Sequence, residues 1–285
     1  MKKILVTGAN GQLGQCLKKK SKEEKALDFV FLNSSLLDIT NSNQVQSVFS
    51  ESKFHFCINC AAYTAVDNAE DQQDLAHKIN VVGAKNLAEA CIKQDTTLIH
   101  ISTDFVFDGS NTNAYHEEDK VNPLSVYGKT KLGGEEAISS VLDKYLVIRT
   151  SWLYSEFGNN FVKTMLRLAK DRDQLSIVND QFGTPTNAND LAEAIINIVN
   201  NKNQQYGVYH YSNLGKTTWY EFAKAIFEYS QTNIKVNPVT SDQFITKAKR
   251  PKFSVLDKTK IITNFNLDIK DWRVSLENHL KTTYL

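Results

Sequence analysis

The segment VTGANGQLGQ, residues 6–15, ends an apolar run and opens a helical one. Gly8, Gly11 and Gly14 stand at G-x-x-G-x-x-G. This is one residue longer in its first interval than the G-x-G-x-x-G of dinucleotide-binding loops. Each glycine has a separate physical task. One permits a tight turn, and one lets backbone N–H groups approach a pyrophosphate at a helix N-terminus, where the dipole favours anions. The last permits close helix–strand packing. Three glycines alone carry little weight, but their place at the first strand–helix junction predicts a dinucleotide cradle. Gly8, Gly11 and Gly14 are its candidate residues.

Outward from this loop, the first half alternates short Ile-, Val- and Phe-rich runs with helical patterns. Strands are expected at 2–9, 29–33, 54–62, 97–107 and 145–154, and helices at 12–25, 41–51, 75–94 and 125–142. This alternation predicts an α/β fold, a Rossmann-type doubly wound parallel sheet with helices on both faces. The pattern changes after about residue 155. Helices are expected in NNFVKTMLRLAKD, in NANDLAEAIINIVNN with Asn187 or Asn189 as cap, and in TTWYEFAKAIFEYSQ with Thr217 as cap. Residues 1–155 therefore read as the nucleotide-binding domain, with elements of about 186–213 returning to it. Residues 156–285 read mainly as a smaller C-terminal substrate-binding lobe.

The 285 residues suffice for a sizeable core. With 33 basic and 32 acidic side chains, the net charge is +1, which excludes recruitment of nucleic acid or an anionic membrane by bulk charge. No apolar run approaches the ~20 residues that span a bilayer, and the apolar run before Gly8 is too short for a signal peptide. A cytoplasmic protein is expected. Cys57 and Cys60 form C-x-x-C, yet side chains three apart on a strand face opposite ways. Buried thiols are expected there, and no metal.

The end of the second strand selects between dinucleotides. An acid there binds the adenosine ribose, and a basic residue accommodates a 2′-phosphate. Asn33 takes this position, followed by Ser34 and Ser35. Nothing there repels a 2′-phosphate, so the residues lean to NADPH, with NADH tolerated. Asp38 is expected beside the adenine.

The fourth strand ends in HISTDFVFDG, and Tyr127 and Lys131 follow one helical turn apart in VYGKTKLGGEE. Hydride arriving at a carbonyl carbon leaves an alkoxide that needs a proton. A tyrosine, pKa ~10, can supply it, and a nearby ammonium lowers that pKa. Glycine loop, strand-end hydroxyl and Tyr-x-x-x-Lys together resemble the extended short-chain dehydrogenase/reductase superfamily over nearly the whole chain. Within it, CAAYTAVDNAE, STDFVFDG, YGKTKLGGE, RTSWLY, GNNFVKTMLRLAK, NDQFGTPT and TTWYEFA are similar to the dTDP-4-dehydrorhamnose reductase family. The resemblance implies reduction of the C4 ketone of dTDP-4-dehydro-β-L-rhamnose by NAD(P)H. It implies Tyr127 as proton donor, Lys131 as its tuner and a ribose ligand, and Thr103 as polariser of the carbonyl. It further implies Asn10, Gly11, Gln12 and Leu13 at the pyrophosphate, and Ile39, Ala62, Tyr63 and Thr64 elsewhere at the cofactor. Val66, Asp104, Trp152, Asn160 and Arg250 are implied at the sugar nucleotide, the last two as candidates for its diphosphate.

Phe105 stands where several relatives carry tyrosine and where a sugar-nucleotide dehydratase would need glutamate. A phenyl ring takes no proton, so a dehydratase is excluded. Another 4-ketoreductase, an epimerase with the same Tyr and Lys, and a non-catalytic regulatory subunit of methionine adenosyltransferase remain alternatives. The residues are compatible with a homodimer and do not fix the assembly.

The strand-end reading has a direct test. NADPH should serve at least as well as NADH, and Asn33→Asp should shift preference toward NADH by repelling the 2′-phosphate. Steady-state kcat/KM with both cofactors measures this; a tenfold preference of the parent protein for NADH would contradict it.

Overall fold

The computed structural model describes residues 1–202 and 205–284. Its centre is a six-stranded sheet in which every pairing is parallel. The strands are β1 (Lys2–Thr7), β2 (Leu27–Leu32), β3 (Phe56–Asn59), β4 (Thr97–Thr103), β5 (Tyr145–Thr150) and β6 (Gly207–His210). Their order is β6-β5-β4-β3-β1-β2. From β1 the chain moves first to one side, to β2, and then to the other, to β3. The crevice beyond the C-terminal ends of β1 and β3 is thus the switch point where open α/β sheets bind ligands.

Strand alternation assigns the two faces. Ile4, Val6, Ile58, Ile99 and Ile148 pack with Leu13 and Leu17 of helix Gln12–Lys20 and with Leu191 and Ile195 of helix Ala188–Asn200. Leu5, Cys57 and Leu98 face the other way, onto Val45, Phe49, Leu87 and Ile138. Cys57 lies in this second cluster and Cys60 packs against the first, on opposite faces as their spacing predicts.

From the second half of the chain, helix Ala188–Asn200 and strand β6 join the sheet. Asn187 caps that helix by accepting from the Asn189 N–H. The remaining elements build a separate aromatic core in which Phe222, Trp272, Met165 and Leu276 are buried. It is flanked by a parallel pair, Gln174–Val178 with Lys235–Val239. Helix Trp219–Tyr229 is capped by Thr218, not Thr217: the Thr218 hydroxyl accepts from Glu221 N–H, whereas the Thr217 hydroxyl donates to the Thr218 carbonyl.

Several expected elements are divided, among them 145–154, which breaks into Tyr145–Thr150 and the separate strand Leu153–Tyr154, and 12–25, which becomes Gln12–Lys20 and the 3₁₀ turn Ser21–Glu23. The run 97–107 ends as a strand at Thr103 and tightens into a 3₁₀ turn, Asp104–Val106. The single helix expected over 75–94 comprises Gln73–His77, a π-helical turn Lys78–Val82, and Gly83–Gln94. The wide turn turns Asn80 inward, where it is 1% exposed. Its side chain accepts from Tyr63 N–H at 2.8 Å and donates to Tyr63 C=O and to the Thr130 hydroxyl.

The Tyr127 helix, Val126–Ser139, meets its neighbours backbone to backbone. A Cβ on Gly128 would lie 2.3 Å from the Phe105 carbonyl, and one on Gly134 would lie 2.3 Å from the Asn80 carbonyl. Its next residue, Glu135, forms a buried forked pair with Arg149 of β5, Nη2 to Oε2 at 2.7 Å. The helix is thereby fixed in height and rotation against β4 and β5.

Gly134→Ala separates propensity from packing. Alanine favours a helix by ~1 kcal/mol over glycine, but overpacking costs ~1–3 kcal/mol. Urea unfolding should show net destabilisation; a more stable variant would mean that the Asn80 turn can retreat freely.

Candidate active site

At the end of β1, Gly8 has φ +64°, and a Cβ there would lie 2.5 Å from Ala61 N. Gly14 sits so close beneath the turn that its Cβ would be 2.5 Å from the Gly8 carbonyl. Gly11 opens the first helix without a side-chain cap, so the helical N–H groups face an anion directly. Beside the loop is a cavity of about 350 Å³ lined by Gly8, Asn10, Gly11, Asn33, Asp38, Ile39 and Ala62. A cradle that no Cβ tolerates, adjoining a crevice of this size, fits the adenosine and pyrophosphate of a dinucleotide.

Within that crevice the expected residues divide by what their side chains can reach. Leu13 and Ile39 are buried in the two sheet cores and offer only backbone. The Asn33 oxygen accepts from Ser35 N–H, Ser35 Oγ and Leu36 N–H, so it holds the turn after β2 and leaves its amide N–H₂ outward. Asp38 Oδ1 accepts from Thr40 N–H and hydroxyl. Tyr63, between Ala62 and Thr64, is anchored through its backbone by Asn80. Gln12 reaches across the cleft, accepting from Ser155 Oγ and from Asn160 Nδ2, each at 3.0 Å.

The β4 end brings the reactive groups together. Thr103 Oγ1 donates to Asp104 Oδ1 at 3.1 Å and accepts from Phe105 N–H. Asp104 is 1% exposed, and its other oxygen has no hydrogen-bond partner. Burial pushes this carboxyl up to about 6, against the Ser254 and Thr103 hydroxyls. The Tyr127 phenol is pushed up to about 12, first by burial and also by the charge of Asp104, with the Thr103 hydroxyl opposing. The Phe105 ring meets Tyr127 edge-on, centroids 5.7 Å apart.

Lys131, one turn further, is 2% exposed. Its Nζ donates to the Ile101 carbonyl at 2.7 Å and lies 3.2 Å from His100 Nε2. Burial pushes it down to about 8, against the nearby Glu135. The ammonium expected to acidify Tyr127 is thus itself weakened in the free site. Desolvation acts on both groups, holding the phenol protonated and the amine less so.

The residues expected at the sugar nucleotide lie around this centre with partners of their own. Trp152 adopts φ +46° and stacks on Trp219 at 3.6 Å, against Gly183. Asn160 caps helix Phe161–Leu168 through Lys163 N–H. Val66 opens the short helix Val66–Ala69, whose Asp67 grips Arg250 with both carboxylate oxygens, at 3.1 and 2.6 Å. The guanidinium also lines a larger cavity, about 770 Å³, with Asp108, Gln181, Phe244, Lys247 and Lys249. No group of potential metal ligands occurs among the described residues.

Sequence reasoning missed Asn59, His100, Asn80, Asp67 and Glu135. Each lies inside a quoted motif or beside one, but its role is set by a partner from a distant segment. Only Glu135, eight residues after Tyr127 on the same helix, carried a local signal: a charge on a buried face.

The RmlD substrate binding domain model matches residues 1–285. The chain is 43% identical to the dTDP-4-dehydrorhamnose reductase of Aggregatibacter actinomycetemcomitans, over 98% of each protein. It superposes with TM-score 0.95 on the crystal structure of the Clostridium acetobutylicum dTDP-4-dehydrorhamnose reductase, at 44% identity, covering 99% of this chain and 100% of the other. The Bacillus anthracis dTDP-4-dehydrorhamnose reductase, solved in complex with NADP, gives TM-score 0.95 at 43% identity and the same coverage. Sequence and fold agree: the chain belongs to the dTDP-4-dehydrorhamnose reductase family.

Proposed function

We propose that this protein reduces the C4 ketone of dTDP-4-dehydro-β-L-rhamnose to dTDP-β-L-rhamnose with NADPH. The observation that carries this reading is the grouping of Thr103, Tyr127 and Lys131 at the C-terminal end of β4, beside the Gly8–Gly14 cradle. A bound reduced nicotinamide supplies hydride. The protein supplies the rest.

Tyr127 gives its phenolic proton to the C4 oxygen. A phenol held at about 12 is fully protonated at neutral pH, so the donor is loaded before substrate arrives. Asp104 reinforces this, because its negative charge opposes a phenolate. Thr103 turns its hydroxyl from Asp104 to the ketone oxygen. The Lys131 ammonium then stabilises the phenolate left after transfer and holds the nicotinamide ribose. Lys247, Lys249 and Arg250 bring positive charge to the larger cavity, where the substrate's diphosphate is placed. Asp67 presents the Arg250 fork, and the diphosphate shares it. Trp152, just after β5, and Asn160 of the smaller lobe serve the substrate side of the cleft.

The experiment is incubation of the purified protein with NADPH and dTDP-4-dehydro-β-L-rhamnose, with the product identified by NMR. The expected product is dTDP-β-L-rhamnose. Tightly retained NAD with no net NADPH consumption would point to an epimerase instead.

Two substitutions test the roles. Tyr127→Phe removes the proton and little else, so turnover should fall ~10²–10⁴-fold, the usual share of general acid catalysis, while NADPH affinity stays within a few fold. A variant retaining a tenth of turnover with chemistry rate-limiting would mean another donor. Arg250→Ala should raise the KM for the sugar nucleotide about tenfold or more, since charge-assisted hydrogen bonds contribute ~1.5–3 kcal/mol. Asp67→Asn frees Arg250 but keeps its charge and should raise KM far less. Equal effects in the two variants would show that Arg250 serves only to grip Asp67.

A further inference from the structure

A chain of buried polar contacts runs from the glycine loop to Lys131, and its direction is fixed at one end. Asn59, at the end of β3, is 1% exposed. Its Oδ1 accepts from the Ala61 backbone N–H at 3.1 Å and from the Thr7 hydroxyl at 2.7 Å. A backbone N–H can only donate, so this end of the amide is the oxygen. The other end, Nδ2, therefore donates to His100 Nδ1, 3.0 Å away. A neutral imidazole that accepts at Nδ1 carries its proton on Nε2. His100 is 1% exposed, and burial, with Lys131 adding to it, depresses its pKa well below the ordinary value, so the ring is neutral. The Nε2–H points at Lys131 Nζ, 3.2 Å away. An ammonium has no lone pair to receive it, whereas an amine does.

On the reading that this site binds NADPH, we propose that His100 is a positioning residue whose Nε2–H, imposed by Asn59, favours the unprotonated amine of Lys131 until cofactor binds. When the ribose hydroxyls offer acceptors, the fraction of Lys131 present as amine takes a proton from solvent and becomes the ammonium that the reaction uses. The other groups facing Lys131 do not supply that proton. Glu135, four residues on, is committed to Arg149, and the Cys60 thiol is pushed well above its ordinary range by burial. Tyr127, one turn before, stays a phenol. The depressed Lys131 pKa, about 8, agrees with the geometry.

The sign follows from linkage. A lysine at about 8 in the free protein and near its ordinary ~10.4 when bound takes up protons between these values. NADPH affinity should then fall as pH rises above 8, by about fivefold between pH 8 and 9. The cofactor's 2′-phosphate, with a second pKa of ~6, is already fully ionised there.

Titration calorimetry of NADPH in two buffers of different ionisation enthalpy, at pH 8 and 9, measures this uptake. The wild type should take up about half a proton at pH 8 and more at pH 9. His100→Gln can turn its amide oxygen to Lys131, and Asn59→Asp lets Nδ1 carry the ring proton so that Nε2 accepts. Both replace a donor at Lys131 by an acceptor, and both should abolish the uptake. Histidine ¹⁵N NMR of the wild type, with the His100 signals identified by their loss in His100→Gln, should show a neutral Nε2–H ring at pH 7.5. An Nδ1–H ring, NADPH binding without proton uptake, or uptake unchanged in both variants would overturn the proposal. Failure of the wild type to bind NADPH would instead overturn the reductase reading, and the NMR result would still decide the tautomer.

Discussion

Backbone-to-backbone approach at four glycines is the constraint on which the site depends. Gly8 against Ala61, Gly14 against the Gly8 carbonyl, Gly128 against the Phe105 carbonyl and Gly134 against the Asn80 carbonyl each leave no room for a Cβ. The first two set the turn of the glycine loop after β1. The second two set the helix that carries Tyr127 and Lys131. Because backbone positions are stiffer than side-chain rotamers, these contacts fix where the reactive atoms stand. The π turn at Lys78–Val82 belongs to the same arrangement, since it delivers Asn80 to both the Tyr63 loop and the Tyr127 helix.

The electrostatics follow from this tight packing. Close approach excludes water, and exclusion shifts Asp104 and Tyr127 up and Lys131 down. Each shift favours the neutral form. At neutral pH Asp104, at about 6, and Lys131, at about 8, are still mostly charged but opposite in sign, so the site holds little net charge before its ligands arrive. The large buried charge in its vicinity, Glu135 with Arg149, is paired internally and contributes orientation more than field.

The sheet and its crevice were legible because buried parallel strands announce themselves as short apolar runs, and the glycine loop marks the first strand–helix junction. Cys57 and Cys60 were legible for the same reason, through strand period. The Tyr127–Lys131 pair was legible from helical spacing once HISTDFVFDG placed hydroxyls nearby. What escaped depends on contacts between segments far apart in the chain. The π turn looks like ordinary helix in sequence, because its periodicity differs by one residue over a single turn. Thr217 and Thr218 are equivalent as caps on composition, and only the backbone of the preceding strand decides between them. Asn33 was read through its missing charge, whereas its oxygen is occupied by its own turn. The role of His100 could not be read at all from HIST, because it is dictated by the Ala61 N–H through Asn59.

The cleft is closed on its two sides by bonds of different kinds. On one side, Gln12 holds Ser155 and Asn160 through uncharged amide and hydroxyl groups, beside the partly exposed Lys19–Glu156 ion pair. On the other, Arg250 and Lys247 hold Asp67 and Asp71 through ion pairs that are partly or largely exposed to solvent. Dissolved salt weakens exposed ion pairs and leaves neutral hydrogen bonds nearly untouched. Rising salt would therefore loosen Arg250, Lys247 and Lys19 from their carboxylates while the Gln12 hydrogen bonds persist, so that uncharged amides become the steadiest of these ties.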